Sequence, residues 1–308
     1  MNILFMGSAA FAVPTLKALA NSHNEMLEVV TQPDKPAGRG QHIRACPTAT
    51  FARQHSLPLF QPASVRKPEA IEHFRELAPE LIVVIAYGKI LPRELIDIPK
   101  HGCINVHASL LPKYRGAAPI NWAIAYGETE TGVTTMYIND DLDAGDILLS
   151  AKTPIGSDET APELHDRLAK MGADLLMATI RELEEGALTP VPQDHTKVTI
   201  APLIKKEDGR IDWSLSARAI HNRIRAFNPW PGTFTSLGGK LLRVHTIRVR
   251  DGEHGKTPGT ALETKDRLCI ACGDGALDLA EVQIEGGKRM KAAEFLRGHK
   301  VRKGEVLG

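Results

Sequence analysis

Cysteine is scarce in this sequence: four residues in 308, Cys46, Cys103, Cys269 and Cys272. That is too few and too scattered for a disulfide framework to hold a chain of this length. The one spacing that suggests a metal or redox pair is Cys269-Ile-Ala-Cys272. No second pair accompanies it, and Leu268 to Cys272 reads as a β-strand, which sends the two thiols to opposite faces. A structural role and no metal are expected. Long apolar runs are also missing, since no stretch approaches the roughly 18 uncharged residues that span a bilayer. The opening Met1-Asn-Ile-Leu-Phe-Met-Gly7 lacks the basic start and cleavage site of a signal peptide and reads as a buried first strand. A cytoplasmic protein without membrane attachment is the expectation.

Glycine is missing where a dinucleotide would need it. After the first strand, Gly7-Ser-Ala-Ala-Phe supplies one glycine of G-x-G-x-x-G but not those for pyrophosphate approach and close helix packing, which disfavours NAD. The sheet itself is still indicated. Asn2 to Met6, Leu27 to Thr31, Leu57 to Phe60 and Glu80 to Ala86 are apolar runs. Helical patterns over Ala10 to Leu19, Thr48 to His55 and Pro68 to Leu77 separate them. Strands alternating with helices predict an α/β, doubly wound, mostly parallel sheet of Rossmann-like type. A further helix, opened by Thr160-Ala-Pro-Glu163 with capping-box spacing, carries a leucine stripe to Gly186.

From there the pattern changes. Pro190, Pro192 and Pro202 interrupt a stretch of little periodicity, which reads as a linker. After a short helix at Ser216 to Phe227, short strands follow at Thr233 to Leu237, Lys240 to Arg250, Gly259 to Glu263, Leu268 to Cys272 and Leu277 to Ile284. They predict a small C-terminal β-barrel of the oligonucleotide-binding (OB-like) kind. The expected organisation is a sheet domain over 1–187, a linker over 188–208 and a barrel domain over 209–308. The net charge of +1 conceals an asymmetry: residues 1–204 carry 18 Lys+Arg against 24 Asp+Glu, and residues 205–308 carry 20 against 13. A basic second half is compatible with a polyanionic partner and equally with an ordinary solvated face.

The chemistry concentrates in Ile104-Asn-Val-His-Ala-Ser-Leu-Leu-Pro-Lys-Tyr-Arg-Gly-Ala-Ala-Pro119. Asn105 and His107 lie at a strand end, where open α/β sheets place ligands, and residues i and i+2 share a face. No Ser or Cys nucleophile stands beside them. That suits a reaction in which the substrate brings its own nucleophile, such as an amine attacking a carbonyl. An Asn amide or a protonated imidazole stabilises the oxyanion, and His moves protons near neutral pH. A carboxylate from the acidic turn Asp140-Asp-Leu-Asp-Ala-Gly-Asp146 would hold the ring. By spacing alone, an N-x-H pair is more often a hydrogen-bonded strand end than a catalytic site.

This stretch, together with Ala86-Tyr-Gly-Lys-Ile-Leu-Pro92 and Asp141-Leu-Asp-Ala-Gly-Asp-Ile-Leu148, resembles the folate-dependent formyltransferases. The resemblance implies transfer of a formyl group from 10-formyltetrahydrofolate to an amine, with no metal. It places catalysis on Asn105, His107 and Asp143, and folate contact on Ser109, Leu110, Leu111 and Pro112, with Tyr87, Gly88 and Ile90 beside the pterin.

The catalytic core does not choose the acceptor. Two features point to members acting on initiator methionyl-tRNA. One is Gln32-Pro-Asp-Lys-Pro-Ala-Gly-Arg-Gly-Gln41, similar to a loop of the tRNA-acting members, which offers Lys35, Arg39 and Arg44 to phosphates; the following His42 to Cys46 departs from the pattern. The other is the basic C-terminal domain with its family-like Phe227-Asn-Pro-Trp-Pro-Gly-Thr-Phe-Thr235. On the helix before that motif, Arg218, Asn222 and Arg225 fall on one face and Ile220, Ile224 and Phe227 on the buried side. Lys205, Lys206 and Arg223 are further expected phosphate contacts. The alternative acceptor is an amino-sugar nucleotide. A monomer is expected.

Overall fold

The computed structural model of the protein describes residues 1–37 and 42–308. The chain forms two compact units, neither contiguous in sequence. The first gathers Met1–Gly116, Glu130–Thr153 and His165–Ile200; the second gathers Ala117–Thr129, Pro154–Leu164 and Ala201–Gly308.

The first unit is built on a seven-stranded sheet: β1 (Asn2–Gly7), β2 (Glu25–Val30), β3 (Leu59–Phe60), β4 (Leu81–Ile85), β5 (Cys103–His107), β6 (Glu130–Tyr137) and β7 (Ile147–Pro154). Their spatial order is β7-β6-β5-β4-β1-β2-β3. The pairs β1–β2, β1–β4, β2–β3 and β4–β5 are parallel, and β6 runs antiparallel to β5. Strands covered on both faces must be apolar throughout. Accordingly every residue of β4, Leu81-Ile-Val-Val-Ile85, is buried. On one face Leu4, Met6, Ile82 and Val84 pack with Phe74 from the helix Pro68–Leu77. Strand β3 is shorter than the apolar run from Leu57, because the Leu57 N–H caps the preceding helix at Ala52 O (2.9 Å).

From β1 the chain winds outward through β2 and β3, then returns to the opposite side of β1 as β4. The carboxyl ends of β1 and β4 therefore flank a topological switch point, where α/β sheets leave a crevice. Gly7 closes β1 there because a Cβ would sit 2.8 Å from Ile85 O and 2.9 Å from Phe5 Cε1. The leucine-striped helix runs Ala161–Glu184. At its start the Glu163 carboxylate accepts from the Thr160 N–H (2.8 Å) and hydroxyl (2.7 Å), and beyond its end Gly186 adopts φ +66°.

The second unit carries an antiparallel sheet of β8 (Thr233–Leu237), β9 (Lys240–Arg250), β10 (Ala261–Glu263), β11 (Leu268–Ala271), β12 (Ala276–Ile284) and β13 (Met290–Lys291). The order is β8-β9-β12-β11-β10, with β13 on β12. Two register shifts along β9 bend the sheet. It curls as a half-barrel, consistent with a small barrel domain. Its core includes Ile220, Leu242, Leu268, Ile270, Leu277 and Phe295. The buried Trp213 indole N–H is satisfied by Thr235 Oγ1 at 3.0 Å.

The helix Pro119–Ala125 packs in this unit against the helix Ala217–Ala226: Asn121 Nδ2 donates to Ala226 O (2.7 Å), and the Trp122 ring meets Phe227 edge-on at 5.6 Å. All four cysteines are free, with Cys103, Cys269 and Cys272 buried. Burial pushes the thiols of Cys269 and Cys272 up to about 12. No group of three or more His, Cys, Asp or Glu able to hold a metal ion occurs among the described residues. None of the described helices is long and apolar enough to cross a membrane.

Candidate active site

Strand β5 carries the site because its two neighbours stop at different points. Strand β4 pairs with it only as far as Asn105, whereas β6 continues to His107 opposite Thr134. The strand end is thus fixed on one side and open on the other. Asn105 is half-buried, and its side-chain amide makes no hydrogen bond among the described residues. Two residues on, His107 is 6% exposed and held at both ring nitrogens. Its Nε2 lies 2.9 Å from Tyr114 O. A carbonyl only accepts, so Nε2 carries a hydrogen in either charge state. Its Nδ1 faces Asp143 Oδ2 at 3.6 Å. Nδ1 is therefore the ring nitrogen free to take up or give up a proton, and it lies beside a carboxylate.

Both groups that hold His107 come from unusual backbone. Tyr114 (φ +61°) and Asp143 (φ +50°) are non-glycine residues in the left-handed region, which costs on the order of 1–3 kcal/mol each. Hydrogen bonds hold both in place. The Tyr114 N–H donates to Thr199 Oγ1 (2.8 Å) and the Arg115 N–H to Thr199 O (2.9 Å). The Asp143 carboxylate accepts from the Gly116 N–H at 2.8 Å. The acidic turn must also pass close to β6: a Cβ on Gly145 would fall 1.9 Å from Tyr137 O.

Two residues that reading the sequence missed support this turn. Gln193, buried at 5% exposure, donates through Nε2 to Asp143 O (2.9 Å) and Gly145 O (2.8 Å). Its Oε1 accepts from Nε (3.0 Å) and Nη2 (2.7 Å) of the buried Arg115. Gln193 lies in a proline-punctuated segment with little periodicity, so only its three-dimensional partners reveal it.

Ser109, Leu110, Leu111 and Pro112 follow His107 in a bracketed loop. Thr134 Oγ1 donates to Ser109 O (2.7 Å) and accepts from the Leu111 N–H (3.3 Å), while Ser109 Oγ donates to Lys113 O (2.6 Å). Tyr87, Gly88 and Ile90 sit elsewhere, at the switch point. They line a cleft of about 460 Å³ together with Gln32, Val65 and Arg66. The Ser109–Pro112 loop is not part of that cleft's lining. Burial raises the Tyr87 phenol to about 12, so it stays neutral. Gly88 takes a left-handed φ of +77°, and a Cβ there would lie 2.7 Å from Gln32 Nε2, so a side chain would have to displace the Gln32 amide.

Comparison with known proteins assigns the chain. Residues 1–180 match the formyl transferase family model, and residues 203–300 match the model of the formyl transferase C-terminal domain. The chain belongs to the formyl transferase family. A methionyl-tRNA formyltransferase from Citrifermentans bemidjiense is 52% identical over 309 residues, covering 100% of this chain and 96% of that protein. One from Acetivibrio thermocellus is 50% identical, covering all of both. Among solved structures, an N-formyltransferase from Helicobacter canadensis, in complex with folinic acid and dTDP-3-aminofucose, superposes with TM-score 0.68 at 18% identity. It covers 94% of this chain and 99% of that one, and at this identity the likeness speaks for the fold alone.

The cationic positions divide sharply. Lys35 and Arg44 are exposed and directly opposite each other in a two-stranded ribbon, Lys35–Ala37 with His42–Arg44; Arg39 lies outside the described residues. Lys205, Lys206 and Arg218 are exposed. Arg223 is half-buried, its Nη2 on Asp208 O (2.9 Å) and its guanidinium 5.1 Å from the Phe227 ring centroid.

Arg225 corrects the expected phosphate-facing set. It is 7% exposed, bonded to Asn222 Oδ1 and to the carbonyls of Gly156 (3.0 Å) and Glu159 (2.9 Å). Asn222 is buried with it. The face drawn through Arg218, Asn222 and Arg225 is therefore exposed only at Arg218, because the segment 154–164 covers the rest.

Proposed function

We propose that this formyl transferase moves the formyl group of 10-formyltetrahydrofolate to the α-amino group of initiator methionyl-tRNA, as a cytoplasmic monomer. The observation that carries the acceptor is identity of about half over the whole chain with proteins named for that reaction. The observation that carries the chemistry is a strand end with a free amide, a fixed imidazole and a carboxylate, and with no Ser or Cys side chain bonded to them among the described residues.

The folate fits the residues present. A cleft of this size, with Tyr87, Val65 and Ile90 on its walls and Gln32 and Arg66 as polar groups, is of the kind that takes a flat heteroaromatic ring. When bound, the folate supplies an electrophilic formyl carbon on nitrogen. Asn105 then donates its unpartnered amide to the formyl oxygen as negative charge develops, which is strongest in a desolvated site. His107 takes up or releases a proton at Nδ1, with the Asp143 carboxylate beside that nitrogen to orient the ring. The Ser109–Pro112 loop orients the donor next to them. The attacking electron pair is the acceptor amine's own: as its nitrogen bonds to the formyl carbon, the bond from that carbon to the donor nitrogen would break, and the proton lost by the amine would return to the departing nitrogen with His107 as carrier, so the chain needs no covalent step.

For the acceptor, the ribbon offers a physical argument. Like charges directly opposite in an antiparallel pair are destabilising in isolation, and Lys35 faces Arg44. A phosphate between them removes that repulsion. We assign chemistry to residues 1–187, a linker to 188–208 and RNA contact to 209–308 with Lys205, Lys206, Arg218 and Arg223, alongside Lys35, Arg39 and Arg44. The test is a product assay with 10-formyltetrahydrofolate and three acceptors in parallel: charged initiator tRNA, free methionine and an amino-sugar nucleotide. Formyl-methionine on tRNA is expected. Preferential formylation of the amino-sugar nucleotide overturns the reading.

A further inference from the structure

The turn that carries Asp143 is held by groups outside the matched motifs. Val191 exchanges two backbone hydrogen bonds with Ile147, each 2.8 Å, immediately after the acidic turn. Thr199 accepts from the N–H groups of both Tyr114 and Arg115. Residues 191–199 thus form a strap fixed at one end to the turn bearing Asp143, and at the other to the loop whose Tyr114 carbonyl holds His107 Nε2. Gln193 lies between these anchors with its side chain buried.

The orientation of that side chain is dictated by its neighbours. On one side stand two carbonyl oxygens, Asp143 O and Gly145 O, which only accept; on the other stands a guanidinium, which only donates. Only one setting of the amide satisfies both sides. Nε2 gives both hydrogens to the turn, and Oε1 takes both from Arg115. No carboxylate pairs with Arg115 among the described residues, so Gln193 Oε1 is its charge-assisted acceptor. A cation on Oε1 polarises the amide and strengthens its donation through Nε2. The two carbonyls flank Ala144, so they fix the backbone immediately after the Asp143 Cα, from which the carboxylate side chain leaves.

We propose that Gln193, backed by Arg115, is the positioning residue that sets Asp143 against His107 Nδ1. It touches neither substrate nor reacting atoms and acts through Asp143, so the proposal rests on the role given to Asp143 above. Loss of the two Nε2 donations makes Gln193→Glu the informative variant. Glutamate keeps the size and the bonds to Arg115, gaining an ion pair there, but presents an oxygen where both turn carbonyls need a donor. A role in packing alone would tolerate it; a role in positioning would not.

The experiment measures kcat and KM for formyl transfer to methionyl-tRNA, together with Tm, for Gln193→Glu, Gln193→Met, Asp143→Asn and the control Asp194→Ala. Asp194 is on the same strap, but its carboxylate serves only its own turn, through Thr196 and an ion pair with Lys197. The expected result is a fall in kcat of roughly 10- to 100-fold for Gln193→Glu, with KM for both substrates unchanged and Asp194→Ala at the wild-type rate. Gln193→Met, which loses both sets of bonds, is expected to be at least as slow. Wild-type kcat in Gln193→Glu alongside a slow Asp143→Asn overturns the positioning role alone. A loss confined to KM, or one matched by Asp194→Ala, overturns it as well. Wild-type kcat in Asp143→Asn overturns the underlying reading of Asp143, and the positioning role with it.

Discussion

At the end of β5, Asn105 keeps its amide free beside a fixed imidazole, whereas on the helix Ala217–Ala226 the amide of Asn222 is bonded to buried Arg225. Both regions place polar side chains at positions that pattern alone would assign to a ligand. What separates them is unused hydrogen-bonding capacity. Asn105 has donors to offer an incoming oxygen; Asn222 spends its amide oxygen on Arg225, whose own donors are engaged within the fold. Arg115 and Arg225 make the same point against Arg218: two buried guanidiniums bond to amide and carbonyl oxygens, and one exposed guanidinium remains available to an external phosphate.

Three changes sharpen that contrast. Asn105→Ala removes the free donor and should lower kcat by about 10²–10³, the cost of losing an oxyanion-stabilising amide, with Tm little altered; single-turnover transfer and a thermal melt check both. Arg225→Met should do the reverse, destabilising the chain by roughly 1–3 kcal/mol because the carbonyls of Gly156 and Glu159 lose their donor, while the salt dependence of tRNA binding stays as it was. Arg218→Ala should change stability by no more than about 0.5 kcal/mol and reduce the slope of log K against log salt by about 1. A flat salt dependence in the unaltered protein would remove the basic footprint altogether.

The smallest expected effect is on stability against pH. Burial lowers the His221 pKa most, against the opposing pull of Asp158 and with the help of Arg225 and Arg218. Its Nδ1 is buried without a partner. A histidine kept neutral in the fold contributes stability fully present above the unfolded value of about 6.5 and lost as pH falls below it, because the unfolded chain then binds the proton more readily. Burial lowers His245 likewise. Tm should therefore decline on the acidic side of neutrality, and His221→Gln should flatten that decline.

Much of the fold was legible because it follows from short-range pattern. The apolar runs of β1 and β4 announce strands buried on both faces, and the turn glycines separating β8 to β12 announce a curled antiparallel sheet. The spacing of Asn105 and His107 put both on one face of a strand end, where the structure has them. What pattern could not supply was contact between distant segments. The strap over 191–199 has no periodicity, yet Gln193 reaches a turn some fifty residues earlier in the chain. Arg225 sits at a helical position that periodicity assigns to the polar face, and it is buried because residues 154–164 fold over it. Asp143 was named by resemblance; its distance to the ring became visible only when β6 and β5 were paired.

The central claim is that the acceptor amine is the nucleophile and that His107 manages its proton at Nδ1, opposite Asp143. The most direct test is the single-turnover rate of formyl transfer by His107→Ala under saturating substrates, with tRNA affinity measured on the same preparation. The account predicts a loss of at least about 10² in rate with affinity unchanged; a rate close to wild type would contradict it.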